Sequence, residues 1–233
     1  MLWRCLVLDY KIGGVSIKGH HDKNQDKFMV ETFEWGSVIV VSDGLGSKKH
    51  SEVGSRKICE KVIEYAKISK GILPNLECFL EVIHQMWKDD LFPYHITDCY
   101  ATCLIGFIGA QQTYLFQLGD GFVCAVDKNY KTHILIDNKI DRFVNETDCL
   151  DEILDLSSWR SSTLETDNLL ALVLSTDGMN VGSGSIDDIG SFCCEFHDGY
   201  RSSKNIEIEK NIFEWLSEWP GNDDKTIVFA MKE

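Results

Sequence analysis

Three times an apolar run ends on an aspartate followed by glycine: SVIVVSDG reaches Asp43-Gly44, YLFQLGDG reaches Asp120-Gly121, and LLALVLSTDG reaches Asp177-Gly178. A dehydrated carboxylate without a partner is costly, so one such acid reads as a turn residue, while three in the same setting ask for a shared counter-charge. A divalent cation supplies it. Glycine directly after each acid lets the backbone turn sharply and brings its carbonyl close enough to act as a further oxygen ligand. Two more segments put acids beside strands: KNQDKF has Asp26 just ahead of one, and GNDDKTIVFA has Asp223 and Asp224 just ahead of the last. An all-oxygen set without clustered Cys or His points to magnesium or manganese, and the chain has no CxxC pair to suggest thiolate-bound zinc.

The elements that must carry these acids follow from apolar spacing. Strands are predicted at Leu2 to Leu8, Phe28 to Phe33, Val38 to Val41, Ala101 to Ile108, Thr113 to Leu118, Phe122 to Val126, His133 to Ile136, Leu169 to Leu174 and Thr226 to Ala230. Helical spacing appears in Val53, Ile58, Val62, Ile63 and Ala66 after a Ser51 cap. It recurs in Leu76, Phe79, Leu80, Ile83, Met86 and Trp87 after Asn75, and in Ile212, Phe213, Leu216 and Trp219. Strands, two helices, a run of strands joined by short turns such as Gly109 to Gln112, then a late helix and a last strand make an antiparallel α+β fold. No linker or repeat divides residues 1–233, so one domain is expected, with the polar stretch from Asp137 to Asp167 as a short lobe over one edge.

Composition narrows the function classes. The formal charge of −14 over 233 residues opposes a nucleic-acid partner and suits a site that collects cations. The opening MLWRCLVLDYK is too short for a signal core, and no run spans a bilayer, so a soluble, cytoplasmic protein without a membrane partner is expected, as a monomer. Of nine cysteines, Cys5, Cys59, Cys103 and Cys124 lie in apolar segments where a thiol behaves as a small hydrophobe. His84, in a helical pattern, and His133, in a strand, read as structural or surface residues.

The ordered set NQD (Asn24 to Asp26), SDGLGS (Ser42 to Ser47), LGDG (Leu118 to Gly121), STDG (Ser175 to Gly178) and DDKT (Asp223 to Thr226) resembles the metal-dependent type 2C serine/threonine protein phosphatases over nearly the whole chain. SEVGSRKICEKV after the Asp43 turn and NET at Asn145 to Thr147 are similar to a compact bacterial branch. The resemblance implies a four-layer α/β/β/α sandwich of two antiparallel sheets, with two Mn2+ or Mg2+ ions at one end and a phosphorylated protein as substrate. It implies that Asp43 bridges both ions, that the Gly44 carbonyl completes one, that Asp177 and Asp223 hold the other, and that Asp26 belongs to the metal site by holding metal-bound water. Asp120 falls where some members help bind a third ion. Such a metal pair lowers the pKa of a bridging water and aims it at phosphorus.

The chain departs from the pattern at three positions. Where the family commonly has a phosphate-gripping arginine, five residues before the NQD aspartate, stands His21, with Lys18, His20 and Lys23 as substitutes. Leu45 occupies the place of a histidine acid found in some relatives, which leaves protonation of the leaving group to water. Asp224 replaces a usual Asn, and a supporting hydrogen-bond role is expected for it. A catalytically silent cation or phosphoprotein binder is the competing class. A nuclease is disfavoured by the charge and by the lack of a basic stripe.

Overall fold

The computed structural model describes residues 10–73, 75–137 and 147–232. Along these residues run β1 (Tyr10–Ile17), β2 (Asp26–Phe33), β3 (Gly36–Asp43), α1 (Ser51–Ser69), α2 (Leu76–Asp89), β4 (Cys103–Ile108), β5 (Gln112–Leu118), β6 (Phe122–Asp127) and β7 (Thr132–Ile136). They are followed by β8 (Arg160–Glu165), β9 (Leu169–Ser175), α3 (Ile186–Tyr200), α4 (Asn205–Ser217) and β10 (Lys225–Lys232). The strands form two antiparallel sheets, ordered β1-β10-β9-β6-β7 and β2-β3-β4-β5-β8.

β3 shows why its apolar run is continuous instead of alternating. Ile39 and Val41 face inward and join Leu104, Leu172, Leu174 and Val228 between the sheets. Val38 and Val40 face outward and pack with Ile58, Val62, Phe79, Ile83 and Trp87 of α1 and α2. Period 2 is present but hidden, because both faces are buried. The other sheet repeats the scheme, with Val173, Ile227 and Phe229 against Ile189, Phe196, Ile208 and Ile212 of α3 and α4. The result is the expected four layers, helices outside and sheets inside. Each such branched side chain removed from water contributes about 1.5–3 kcal/mol, which fixes the sheets as a rigid frame.

Three elements lie outside the sequence expectations. β1 carries Gly13 and Gly14, which dilute its apolar pattern; a Cβ on Gly14 would sit 2.6 Å from Val228 and 2.8 Å from Phe28, so close packing requires the glycine. β8 lies within the stretch expected as a lobe, yet it pairs with β5 from Gln112↔Glu165 to Gln117↔Arg160 as an edge strand with mostly exposed or half-exposed side chains. α3 holds two glycines and two acids in its first turn, but Ile189, Cys193 and Phe196 recur on its buried face and Ser185 accepts the Asp188 N–H as cap. Asn75 caps α2 as expected, accepting from Glu77 N (2.7 Å) and Cys78 N (3.4 Å). Ser51 is instead the first residue of α1, and its hydroxyl receives the Gln25 amide at 2.6 Å. The strand expected at Leu2 to Leu8 and most of the NET segment lie outside the described residues. Among the described residues no helix is long and apolar enough to cross a membrane.

Candidate active site

The acids gather at one end of the sandwich because the strands that carry them all turn there. β2 and β3 form a hairpin whose open end sets Asp26 opposite Asp43. Asp120 lies two residues past β5, Asp177 two past β9, and Asp223 two ahead of β10. β2, β3 and β5 belong to one sheet, β9 and β10 to the other, so the site spans the seam between them.

Asp26 is the buried centre. Its Oδ2 accepts hydrogen bonds from Thr176 Oγ1 (2.8 Å) and Thr226 Oγ1 (2.7 Å), which tie β2 to the opposite sheet. Its N–H is fixed by Asn24 Oδ1 at 2.9 Å, so the NQD turn aims the carboxylate. Oδ1 is buried with no hydrogen-bond donor, and Asp43 stands opposite Asp26 as its register partner across the hairpin. Burial pushes Asp26 up to about 7 against the pull of both threonine hydroxyls, with the Asp224 charge adding to the rise. Burial likewise drives Asp43 well above the usual carboxylate range, reinforced by the charges of Asp26, Asp177 and Asp223. These acids therefore feel one another, and they lack positive charge. A hard divalent cation fits that need: the donors are all oxygens, and one buried oxygen faces the pair without a partner.

Backbone geometry adds a further oxygen. Gly44 N donates to Gln25 O (3.1 Å), and an antiparallel rung would return the Gln25 N–H to the Gly44 carbonyl. Asp224 takes that N–H instead, at 2.6 Å to its Oδ2, so the Gly44 carbonyl is left outside the ladder. Asp224 Oδ1 also accepts Gly19 N at 2.7 Å, so this one buried carboxylate holds both ends of the 19–25 loop. Glycine is obligatory at 178, where a Cβ would lie 1.9 Å from Asp224 O.

The remaining candidates line the rim. Asp177 and Asp223 are exposed. Asp120 accepts the Thr147 hydroxyl at 2.7 Å and shares with Asp177 a cavity of about 270 Å³. His21 is exposed in the β1–β2 loop, its Nε2 3.5 Å from Asp223 Oδ1. Among the described residues no three His, Cys, Asp or Glu side chains stand ready in metal-binding geometry; the central pair and the rim acids form a looser group. His84 is buried and bonded to Asp151 O at 2.9 Å, and His133 lies 3.3 Å from Asp127, both away from this group. Sequence reasoning did not single out Thr176 and Thr226, nor Thr102, whose hydroxyl accepts the Asp43 N–H at 2.9 Å. The signal was available for the first two, since they are letters of STDG and DDKT.

Comparison with known proteins finds a matching family model and similar solved folds. The family model described as protein phosphatase 2C matches residues 14–217. The chain is similar to a solved bacterial serine phosphatase, with a TM-score of 0.71 at 14% identity, covering 97% of this chain and 98% of that one. It is similar to the catalytic domain of the serine/threonine phosphatase PstP, solved with two manganese ions (TM-score 0.67, 14% identity, 95% and 97% covered). The phosphatase Stp1 from Staphylococcus aureus gives 0.59 at 15% identity, covering 97% and 95%. No curated protein sequence matches the chain.

Proposed function

Because the chain belongs to the protein phosphatase 2C family, we propose that it hydrolyses phosphoserine and phosphothreonine side chains of proteins with a pair of Mn2+ or Mg2+ ions. The observation that carries this reading is the buried, donorless Oδ1 of Asp26 against Asp43, at the seam where five strand ends meet. Asp43, Asp177, Asp223 and the Gly44 carbonyl would hold the ions, and Asp120 could hold a third beside Asp177. When bound, the ions supply positive charge for the phosphate and an activated water.

The chain's own residues do the rest. Asp26 Oδ1, buried and without a donor of its own, orients the attacking water and takes up its proton. Thr176 and Thr226 keep that carboxylate from rotating. His21 meets the phosphate from the rim. Leu45 offers no proton, so the leaving alkoxide draws its proton from water. The partner is a phosphorylated protein, and the reading takes the chain as a single-domain, cytoplasmic monomer.

Hydrolysis of p-nitrophenyl phosphate and of a phosphothreonine peptide, with manganese and with a chelator, tests the proposal. Turnover only with manganese supports it. The His21 ring beside Asp223 favours a second reading, a silent cation or phosphoprotein binder. Binding of a phosphopeptide without turnover selects that one.

A further inference from the structure

In a chain with a formal charge of −14, two loops at the mouth of the site carry the opposite sign. Residues 18–25 lead into β2 and residues 44–50 leave β3, so both start from the Asp26↔Asp43 end of one hairpin. The first holds Lys18 and Lys23 against one acid, Asp22; the second holds Lys48 and Lys49 with no acid, and the neutral rings of His21 and His50 flank them. They are joined into one surface by Gly44 N to Gln25 O (3.1 Å), by Gln25 Nε2 to Ser51 Oγ (2.6 Å) and by the Lys23–Glu52 ion pair. We propose that this rim selects substrates in which acidic side chains flank the phosphorylated residue. The inference rests on the phosphoprotein reading above and names its substrate class.

The charges differ in how free they are. Lys23 is paired with Glu52, Lys18 Nζ donates to His21 O at 2.9 Å, and Lys48 Nζ lies 3.9 Å over the Tyr100 ring. Lys49 is exposed, and among the described residues neither it nor Lys18 has a carboxylate within ion-pair distance. His50 packs on Tyr94 at 4.7 Å between ring centres, giving the second loop a fixed aromatic base. On the cavity side the wall carries Asp120 and Asp177, while its third acid, Asp137, is neutralised by Arg160. The field therefore changes sign across the cleft, and a peptide with acidic flanks is drawn to the hairpin side. Exposed ion pairs are individually weak, so a few acting together give about a tenfold preference at low salt, which screening removes.

The test is anisotropy of labelled peptides carrying a non-hydrolysable phosphonate analogue of phosphothreonine, flanked by Asp and Glu or by Lys, with manganese present. The acid-flanked peptide is expected to bind about tenfold more tightly at low salt and without preference at about 0.5 M salt. Lys49→Glu, and the pair Lys48→Glu with Lys49→Glu, should shrink and then invert the preference. Equal affinities, or preference for the lysine-flanked peptide, overturn the proposal. So does a change in manganese affinity by the same factor as peptide affinity, since the lysines would then be mere counter-ions of the site acids. p-Nitrophenyl phosphate hydrolysis run alongside separates the two readings: acid preference without hydrolysis refutes only the hydrolase, and hydrolysis with equal affinities refutes only the rim.

Discussion

Asp224→Ala removes two backbone anchors at once. Asp224 is buried, and its oxygens accept Gly19 N at 2.7 Å and Gln25 N at 2.6 Å. Hydrogen bonds to a charged acceptor contribute about 1.5–3 kcal/mol each, so the gross loss is about 3–6 kcal/mol. Two effects reduce it. Removing the charge relieves Asp26, whose proton affinity Asp224 raises, and the freed Gln25 N–H can pair with the Gly44 carbonyl. A net destabilisation of about 2–4 kcal/mol is expected for the metal-free protein. Asp224→Asn keeps one acceptor and turns an amide N–H towards the other donor, so about 1–2 kcal/mol should be lost. The functional signature is separate. Once the Gly44 carbonyl is claimed by Gln25, it is lost to a cation, and manganese affinity should fall in both variants. Denaturant unfolding without metal and calorimetric manganese titration measure the two. If Asp224→Asn matches the wild type in both, the two-anchor account is wrong, and the Asn expected from the family resemblance serves equally well here.

Four further outcomes follow from the same geometry. Asp43→Asn should abolish two-ion manganese binding in calorimetry, whereas Asp177→Asn or Asp223→Asn should weaken mainly one ion; two-site binding by Asp43→Asn would remove it as the bridge. Manganese at 100 times its dissociation constant should stabilise the protein by about 2.7 kcal/mol, read as a concentration-dependent Tm, and an indifferent Tm would argue against the centre. Asp26 has a folded pKa raised from 3.8 to about 7, so the folded state binds the extra proton and metal-free stability should fall as pH rises across that window. At about 1.4 kcal/mol for each tenfold change in proton affinity, a loss of roughly 2 kcal/mol or more is expected from pH 5 to pH 7.5, and it should be smaller in Asp43→Asn, where one of the coupled acids is gone. Thr226→Val should cost about 1–3 kcal/mol by taking a hydroxyl from a buried carboxylate and should lower kcat more than it raises KM, checked by steady-state kinetics with manganese.

The two-sheet frame was legible wherever a strand's own residues carried the pattern. Val38 to Val41 and Leu169 to Leu174 read as buried strands because both faces meet apolar layers. β1 was not legible, since the reason for Gly13 and Gly14 lies in Glu209 and Val228, far along the chain, and in Phe28 of the next strand. β8 was missed for the opposite reason: an edge strand of Arg, Ser and Thr buries only Leu164, and its ladder with β5 is set by backbone pairing.

The candidate site divides along the same line. Asp43, Asp120 and Asp177 announce themselves locally, because an acid after an apolar run has few reasons to be there. The relations among acids are not local. That Asp26 depends on Thr176 and Thr226 involves separations of 150 and 200 residues. That Asp224 keeps the Gly44 carbonyl out of the ladder involves a residue 199 positions from Gln25. Side-chain type can therefore nominate ligands, but whether a ligand is poised depends on which donors reach it first. At Gly44 that competition is decided by a carboxylate where the resemblance leads one to expect an amide. An amide offers one acceptor where this site uses two, so Asp224 does work in this chain that the usual residue could do only in part.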